Sequence, residues 1–140
     1  IVFQTFNLLP YITVKNNILL GKAYSNRKQL LSSNDDVKIL MDKLSLNYKD
    51  LVDRKAYELS IGQQQRVAVA RALIGKPEII IADEPTSALD QDNQKEFLNL
   101  LFKSLDENEQ GLIMVSHDKK LSNKFKTVKN ITEICEVNND

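Results

Sequence analysis

Residues 79–90 read Ile79-Ile80-Ile81-Ala82-Asp83-Glu84-Pro85-Thr86-Ser87-Ala88-Leu89-Asp90. Four apolar residues without a polar interruption are the pattern of a short strand buried on both faces in a parallel sheet. Two adjacent carboxylates end the run, and the stretch from Pro85 to Asp90 reads as a loop. Beyond it Phe97, Leu98, Leu101 and Leu105 recur at helical spacing, which predicts an amphipathic helix closed by Gly111. Leu112-Ile113-Met114-Val115 is a second buried strand, ending at Ser116-His117. Strand, helix, strand in that order predicts a right-handed parallel crossover, hence an α/β fold whose working edge lies at the strand carboxyl ends. Asp83, Glu84 and His117 all fall on that edge.

Upstream, Ser60 and Gln63 form an S-x-x-Q capping box ahead of a helix that carries Val67, Ala70, Leu73 and Ile74. Gly75 can take the left-handed position after the helix and Pro77 follows, so the helix is expected over about 61–74. From Thr13 to about Leu59 the pattern is helical, with Val14, Ile18 and Leu19 on one face and Val37, Leu40, Met41 and Leu44 on another. Ile1-Val2-Phe3 reads as a short buried strand that leaves Gln4 at its carboxyl end, and Asn7 to Pro10 breaks it. After Asp118 a short polar helix is expected, then a closing strand or two within 127–137.

The 140 residues hold one core's worth of sequence, and 42% hydrophobic with 27% charged residues is the composition of a globular domain. Nineteen Lys+Arg balance nineteen Asp+Glu, so no global basic field gathers nucleic acid or anionic lipid; a charged ligand has to be held locally. A single cysteine, Cys135, excludes an internal disulfide and a Cys-based zinc site and fits a reducing compartment. The apolar runs are far shorter than the ~20 residues that span a bilayer, and no signal-peptide pattern is present. The opening in apolar sequence at Ile1, without Met, reads as a continuation of a longer chain.

Two carboxylates directly after an apolar strand are costly unless a cation or a proton-transfer partner compensates them. Taken alone they also fit helix N-terminal anions or a solvated turn. At the strand end of a doubly wound sheet, Asp83 can hold Mg²⁺ directly or through water, and Glu84 can align and deprotonate a water aimed at a phosphate. Gly62 sits where it weakens a helix that Ser60 works to start. An anion-binding helix terminus reconciles the two: Gly62 lets backbone amides approach an oxyanion, Ser60 donates its hydroxyl, and the helix dipole adds about half a positive charge. A plain, well-capped helix is the other reading.

Leu59-Ser60-Ile61-Gly62-Gln63-Gln64-Gln65-Arg66, then the stretch 79–90, then Met114-Val115-Ser116-His117-Asp118 resembles, in order and spacing, the nucleotide-binding domain of ABC transporters. The three segments look like the LSGGQ signature, the Walker B motif running into the D-loop, and the switch histidine. Val2-Phe3-Gln4 followed by Phe6-Asn7-Leu8-Leu9-Pro10 is similar to the Q-loop of exporters of the lipoprotein-release and macrolide-efflux type. The resemblance implies a P-loop NTPase-like parallel sheet with an inserted helical subdomain, with ATP and Mg²⁺ as cofactors and hydrolysis coupled to transport. It implies that Gln4 contacts Mg²⁺ or the attacking water, that Asp83 holds the Mg²⁺ shell, that Glu84 is the general base and that His117 touches the γ-phosphate. Ser60, Gly62 and Gln63 would face the γ-phosphate of a nucleotide held by a second, head-to-tail copy, and Asp90 would cross that interface. It further implies a division into a Q-loop strand and loop (1–9), a helical subdomain that docks transmembrane permease domains (10–59) and a core (60–140), at the cytoplasmic face of the plasma membrane.

Two departures stand out. Ile61 replaces the usual glycine, and no G-x-x-x-x-G-K-[ST] occurs: of Gly21, Gly62, Gly75 and Gly111 only Gly21 and Gly75 precede a lysine, and neither lysine is followed by Ser or Thr. The expectation is therefore a carboxyl-terminal part from the Q-loop onward, catalytically silent by itself, with an uncovered apolar sheet edge that favours self-association. A non-enzymatic interaction module and a soluble ABC ATPase of translation or DNA repair are the competing readings.

Overall fold

The computed structural model describes residues 1–2, 5–23, 34–87, 89–106 and 110–134. In chain order the elements are α1 (Val14–Leu19), α2 (Asn34–Lys43), α3 (Tyr48–Leu51), α4 (Ile61–Leu73), β1 (Ile79–Asp83), α5 (Gln91–Asp106), β2 (Gly111–Val115) and α6 (Ile131–Ile134). Tight 3-10 turns occupy Leu20–Lys22, Ala56–Glu58 and Lys119–Lys124. β1 and β2 are parallel, Ile79 opposite Gly111 through Asp83 opposite Val115, with α5 as the crossover. On the other side of β1, Val2 N–H donates to the Ile81 carbonyl at 2.8 Å and Asp83 N–H to the Val2 carbonyl at 2.9 Å. β1 thus has a hydrogen-bonded neighbour on each edge. Phe3 and Gln4 lie outside the described residues.

Burial corrects one expectation. Ile80 and Ala82 of β1 are 1% and 0% exposed and share one core with Val67, Val69 and Ala70 of α4 and Phe97, Leu98 and Leu101 of α5. The alternate residues are not covered: Ile79, Ile81, Ile113 and Val115 are 59%, 39%, 54% and 52% exposed. The strands are buried on one face only, because the helices pack against that face and no described element lies on the other. An unbroken apolar run says that both faces are apolar, not that this chain supplies both covers.

α1 starts at Thr13, whose hydroxyl accepts the Asn16 N–H at 3.2 Å, and buries Val14 and Ile18. The chain on either side of its start is stitched to the segment before Ser60. Val14 N–H donates to the Arg54 carbonyl, Ala56 N–H to Ile12 and Tyr57 N–H to Pro10. The turn after α1 then runs directly against α4. A Cβ on Gly21 would stand 1.8 Å from the Arg71 carbonyl oxygen, so only glycine permits that approach.

Three further expectations shift. α4 ends at Leu73, and the left-handed residue is Lys76 (φ 47°), not Gly75; the Lys76 N–H still donates to the Leu73 carbonyl at 2.8 Å, so the last turn runs through Gly75 and the chain reverses one residue later. Gly111 opens β2 instead of closing α5: its N–H donates to the Glu78 carbonyl at 2.9 Å and it pairs with Ile79. No strand forms among the described residues of 127–137. Val128 and Ile131 are exposed there, without a pairing partner, and α6 takes the chain instead.

The uncovered sheet face sets a prediction. At tens of micromolar the 140-residue chain by itself is expected to run larger than a monomer in light-scattering chromatography, and Ile81→Lys with Ile113→Lys is expected to shift it to monomer.

Candidate functional site

The β1–β2 register fixes the site. After Asp83 pairs with Val115, Glu84 N–H still donates to the Val115 carbonyl at 2.9 Å, and Glu84 then turns into the left-handed region at φ 44°. A non-glycine residue there costs about 1 kcal/mol, and the fold holds it by closing the turn: the Ser87 N–H and hydroxyl both donate to the Glu84 carbonyl, at 3.2 and 3.0 Å. The Glu84 side chain reaches the end of β2. His117 N–H donates to Glu84 Oε1 at 2.9 Å, and His117 Nδ1 lies 2.7 Å from the same oxygen. An ionised carboxylate only accepts, so Nδ1 carries the hydrogen in this contact and Nε2 is turned away from it. Glu84 is 21% exposed and His117 80% exposed at their side chains. They line one open cleft of about 390 Å³ with Thr86, Gln94, Asp118, Lys119 and Lys120.

Asp83 ends β1 exposed, on the same side of the strand as Ile79 and Ile81, and does not line this cleft. Among the described residues no three carboxylate, histidine or cysteine side chains converge on a metal position. A single strand-end carboxylate fits Mg²⁺ held mainly by phosphate oxygens and water, and does not fit an all-protein cage.

The α4 terminus is built as its capping box predicts. The Gln63 N–H donates to Ser60 Oγ at 3.3 Å and the Ser60 N–H to Gln63 Oε1 at 3.0 Å. The Ser60 hydroxyl hydrogen remains to be donated outward. A Cβ on Gly62 would meet nothing within 4 Å among the described residues, so the space beside this glycine is open. Ser60, Gly62 and Gln63 do not line the cleft of Glu84 and His117. Asp90 starts α5: its carboxylate accepts the Asn93 N–H at 3.0 Å and the Asn93 amide at 2.6 Å. These bonds from Asn93 hold the Asp90 carboxyl below the usual aspartate range.

Long-range polar anchors escape the sequence reading. Gln65, 1% exposed, donates its amide to the Pro85 carbonyl, which ties the α4 terminus to the loop after Glu84. Arg71 donates to the Phe6 and Asn7 carbonyls, both at 2.7 Å; those two residues are left-handed, at φ 58° and 45°. Half-burial lowers the Arg71 pKa. Asn17, fully buried, accepts the Leu9 N–H at 2.9 Å and donates to the Leu9 carbonyl at 3.0 Å. The available signal is the placement of Asn17 between Val14 and Ile18 on an apolar face, where a polar residue requires buried partners.

With a parallel sheet, a carboxylate–histidine pair at its strand ends and an open, capped helix terminus in place, comparison with known proteins is informative. The ABC transporter family profile matches residues 1–87. The macrolide export ATP-binding/permease protein MacB of Campylobacter jejuni is 43% identical over 129 residues, 91% of this chain and 19% of that protein. The lipoprotein-releasing system ATP-binding protein LolD of Porphyromonas gingivalis is 37% identical over 121 residues, 86% of this chain and 54% of that protein. A solved ATP-binding cassette, a dimer in a post-hydrolysis state bound to ADP and Pi, superposes with a TM-score of 0.70 at 35% identity, covering 86% of this chain and 52% of that one. The chain belongs to the ABC transporter ATPase family. It spans about half the length of the lipoprotein-releasing relative and of the solved cassette.

The Asp90 cap carries a pH prediction. A carboxyl whose folded pKa is lowered stabilises the fold above its unfolded pKa of about 4 and loses that contribution as pH falls through the lower folded value. In thermal melting across the acid range, Asp90→Asn is therefore expected to show a flatter loss of stability below about pH 4 than the parent chain.

Proposed function

We propose that these residues work, within the complete protein, as part of the ATP-binding and ATP-hydrolysing subunit of an ABC transporter of the macrolide-export and lipoprotein-release kind. The observation that supports this most is the double contact of His117 with a single oxygen of Glu84 at the strand ends. Both contacts fall on Oε1, so Oε2 is left to accept from a water. A carboxylate so oriented suits a general base, and the imidazole that orients it presents Nε2 outward. Toward a phosphate oxygen Nε2 donates only with hydrogens on both ring nitrogens.

ATP with Mg²⁺, when bound, supplies a γ-phosphoryl group whose developing charge the cation neutralises. Asp83 is the residue proposed to hold the metal shell, together with Gln4. The resemblance alone supports Gln4. The Ser60 hydroxyl and the amides of the α4 terminus are proposed to grip an oxyanion, with Gly62 leaving the approach open. Their absence from the cleft of Glu84 and His117 fits a role on nucleotide bound by a second copy, with Asp90 near that interface.

Residues 10–59 are proposed as the part that meets the permease. Tyr11 and Tyr57 are 79% and 56% exposed in it, with their rings 6.2 Å apart, and Leu9 just before it is 50% exposed. No described helix is long and apolar enough to cross a membrane, and attachment at the cytoplasmic face through the permease is part of the proposal. The uncovered sheet face fits relatives about twice as long. The phosphate cradle would come from that remainder, so the 140 residues alone are proposed to be silent in hydrolysis.

The test is turnover of Mg·ATP by the complete protein. Glu84→Gln is expected to lower kcat by about 10²–10⁴-fold with ATP binding retained. Hydrolysis at the unaltered rate in that variant would remove the proposed mechanism.

A further inference from the structure

Gln94 stands between the two loops that carry Glu84 and His117. It projects from the first turns of α5, half-buried, and its Nε2 donates to Thr86 Oγ1 at 3.1 Å and to Asp118 Oδ2 at 3.2 Å. Thr86 lies two residues after Glu84 and is 4% exposed; Asp118 directly follows His117. A primary amide has two N–H hydrogens, so the two bonds engage both, one on each loop. The far partner is itself fixed. Asp118 Oδ1 accepts the Lys120 N–H at 2.9 Å and the Asp118 N–H donates to Ser116 Oγ at 3.1 Å, which holds the carboxylate in place to receive Gln94.

The contact of Glu84 with His117 is a weak tether by itself. His117 is 80% exposed at its side chain, and water competes for so exposed a contact. The Gln94 bridge runs alongside it and is better shielded, with a buried threonine at one end. We propose that Gln94 is a positioning residue for the hydrolytic pair: its amide clamps the loop after β1 to the loop after β2 and so sets the separation at which Glu84 Oε1 meets the His117 ring. This deepens the ATPase reading and rests on it. The geometric part concerns residues of this chain alone.

The experiment uses the complete protein with its permease and has two readouts: steady-state kinetics, and the ¹⁵N signal of His117 Nδ1, assigned by its loss in His117→Gln. Gln94→Met keeps length and removes both donors. It is expected to lower kcat about tenfold while KM for ATP changes less than about twofold, as a small misplacement of reacting groups does. The Nδ1 signal is expected to move toward its position in Glu84→Ala. Gln94→Glu sets a carboxylate against Asp118 and is expected to lose at least as much. Adding Asp118→Asn to Gln94→Glu supplies an amide that donates to the introduced carboxylate, and is expected to restore kcat to within about threefold of the parent.

A merely structural role would move melting temperature without this reciprocal rescue. Unaltered kcat and Nδ1 signal in Gln94→Met, or a double variant no better than Gln94→Glu, overturns the proposal. Failure of the parent protein to hydrolyse ATP instead contradicts the ATPase reading, and the Nδ1 signal still decides whether Gln94 holds the pair.

Discussion

The Val115 carbonyl accepts the Glu84 N–H at 2.9 Å, one step beyond the last registered pair of β1 and β2. That hydrogen bond extends the parallel ladder just far enough to bring the residue after β1 level with the residues after β2. A slip of one position would turn Ile80 and Ala82 out of the core and carry Glu84 away from His117. The buried alternation of β1 therefore guards the site: the same register that places two apolar side chains among the helices places a carboxylate against an imidazole.

Around this ladder the chain uses long polar anchors to hold loops that have little apolar surface. Gln65 ties α4 to the loop after Glu84, Arg71 ties α4 to the left-handed backbone at Phe6 and Asn7, and Asn17 fixes Leu9. α4 is therefore attached through side chains both to the loop after Glu84 and to the segment that leads into α1. The glycine at position 21 lets the turn after α1 press on the same stretch of α4. The helix that begins at the open Ser60 terminus is thus connected to the loop after β1 and to the segment before α1, while the loop after β2 is held from α5 by Gln94. Under the proposed function, these connections would lie between the surface proposed to face a second copy and the surface proposed to meet the permease.

What the sequence makes legible is what is local or periodic. The capping box of Ser60 and Gln63 lies within four residues, so its two halves can be read together. The inward face of α5 repeats at helical spacing, and Phe97, Leu98, Leu101 and Leu105 are all buried. The strand ends predict a common edge for Glu84 and His117, but not their bond, which depends on register and on the left-handed turn of Glu84. The partners of Arg71 lie 64 and 65 residues away and those of Gln94 8 and 24 residues away, so in sequence these side chains look like ordinary solvated helix positions. The exposed face of Ile79, Ile81, Ile113 and Val115 is illegible for a different reason: apolar composition records the need for a cover and not where the cover comes from. Gln4, Ala88 and Cys135 lie outside the described residues.

Whether Glu84 and His117 act as one unit is decided by a double-mutant cycle on kcat in the complete protein, using Glu84→Gln, His117→Ala and the pair together. Groups that serve a single step are strongly non-additive. The double variant is expected to be no slower than the slower single variant. Losses that simply multiply would contradict the account, because they would mean that the two side chains touch in the fold without sharing the chemistry.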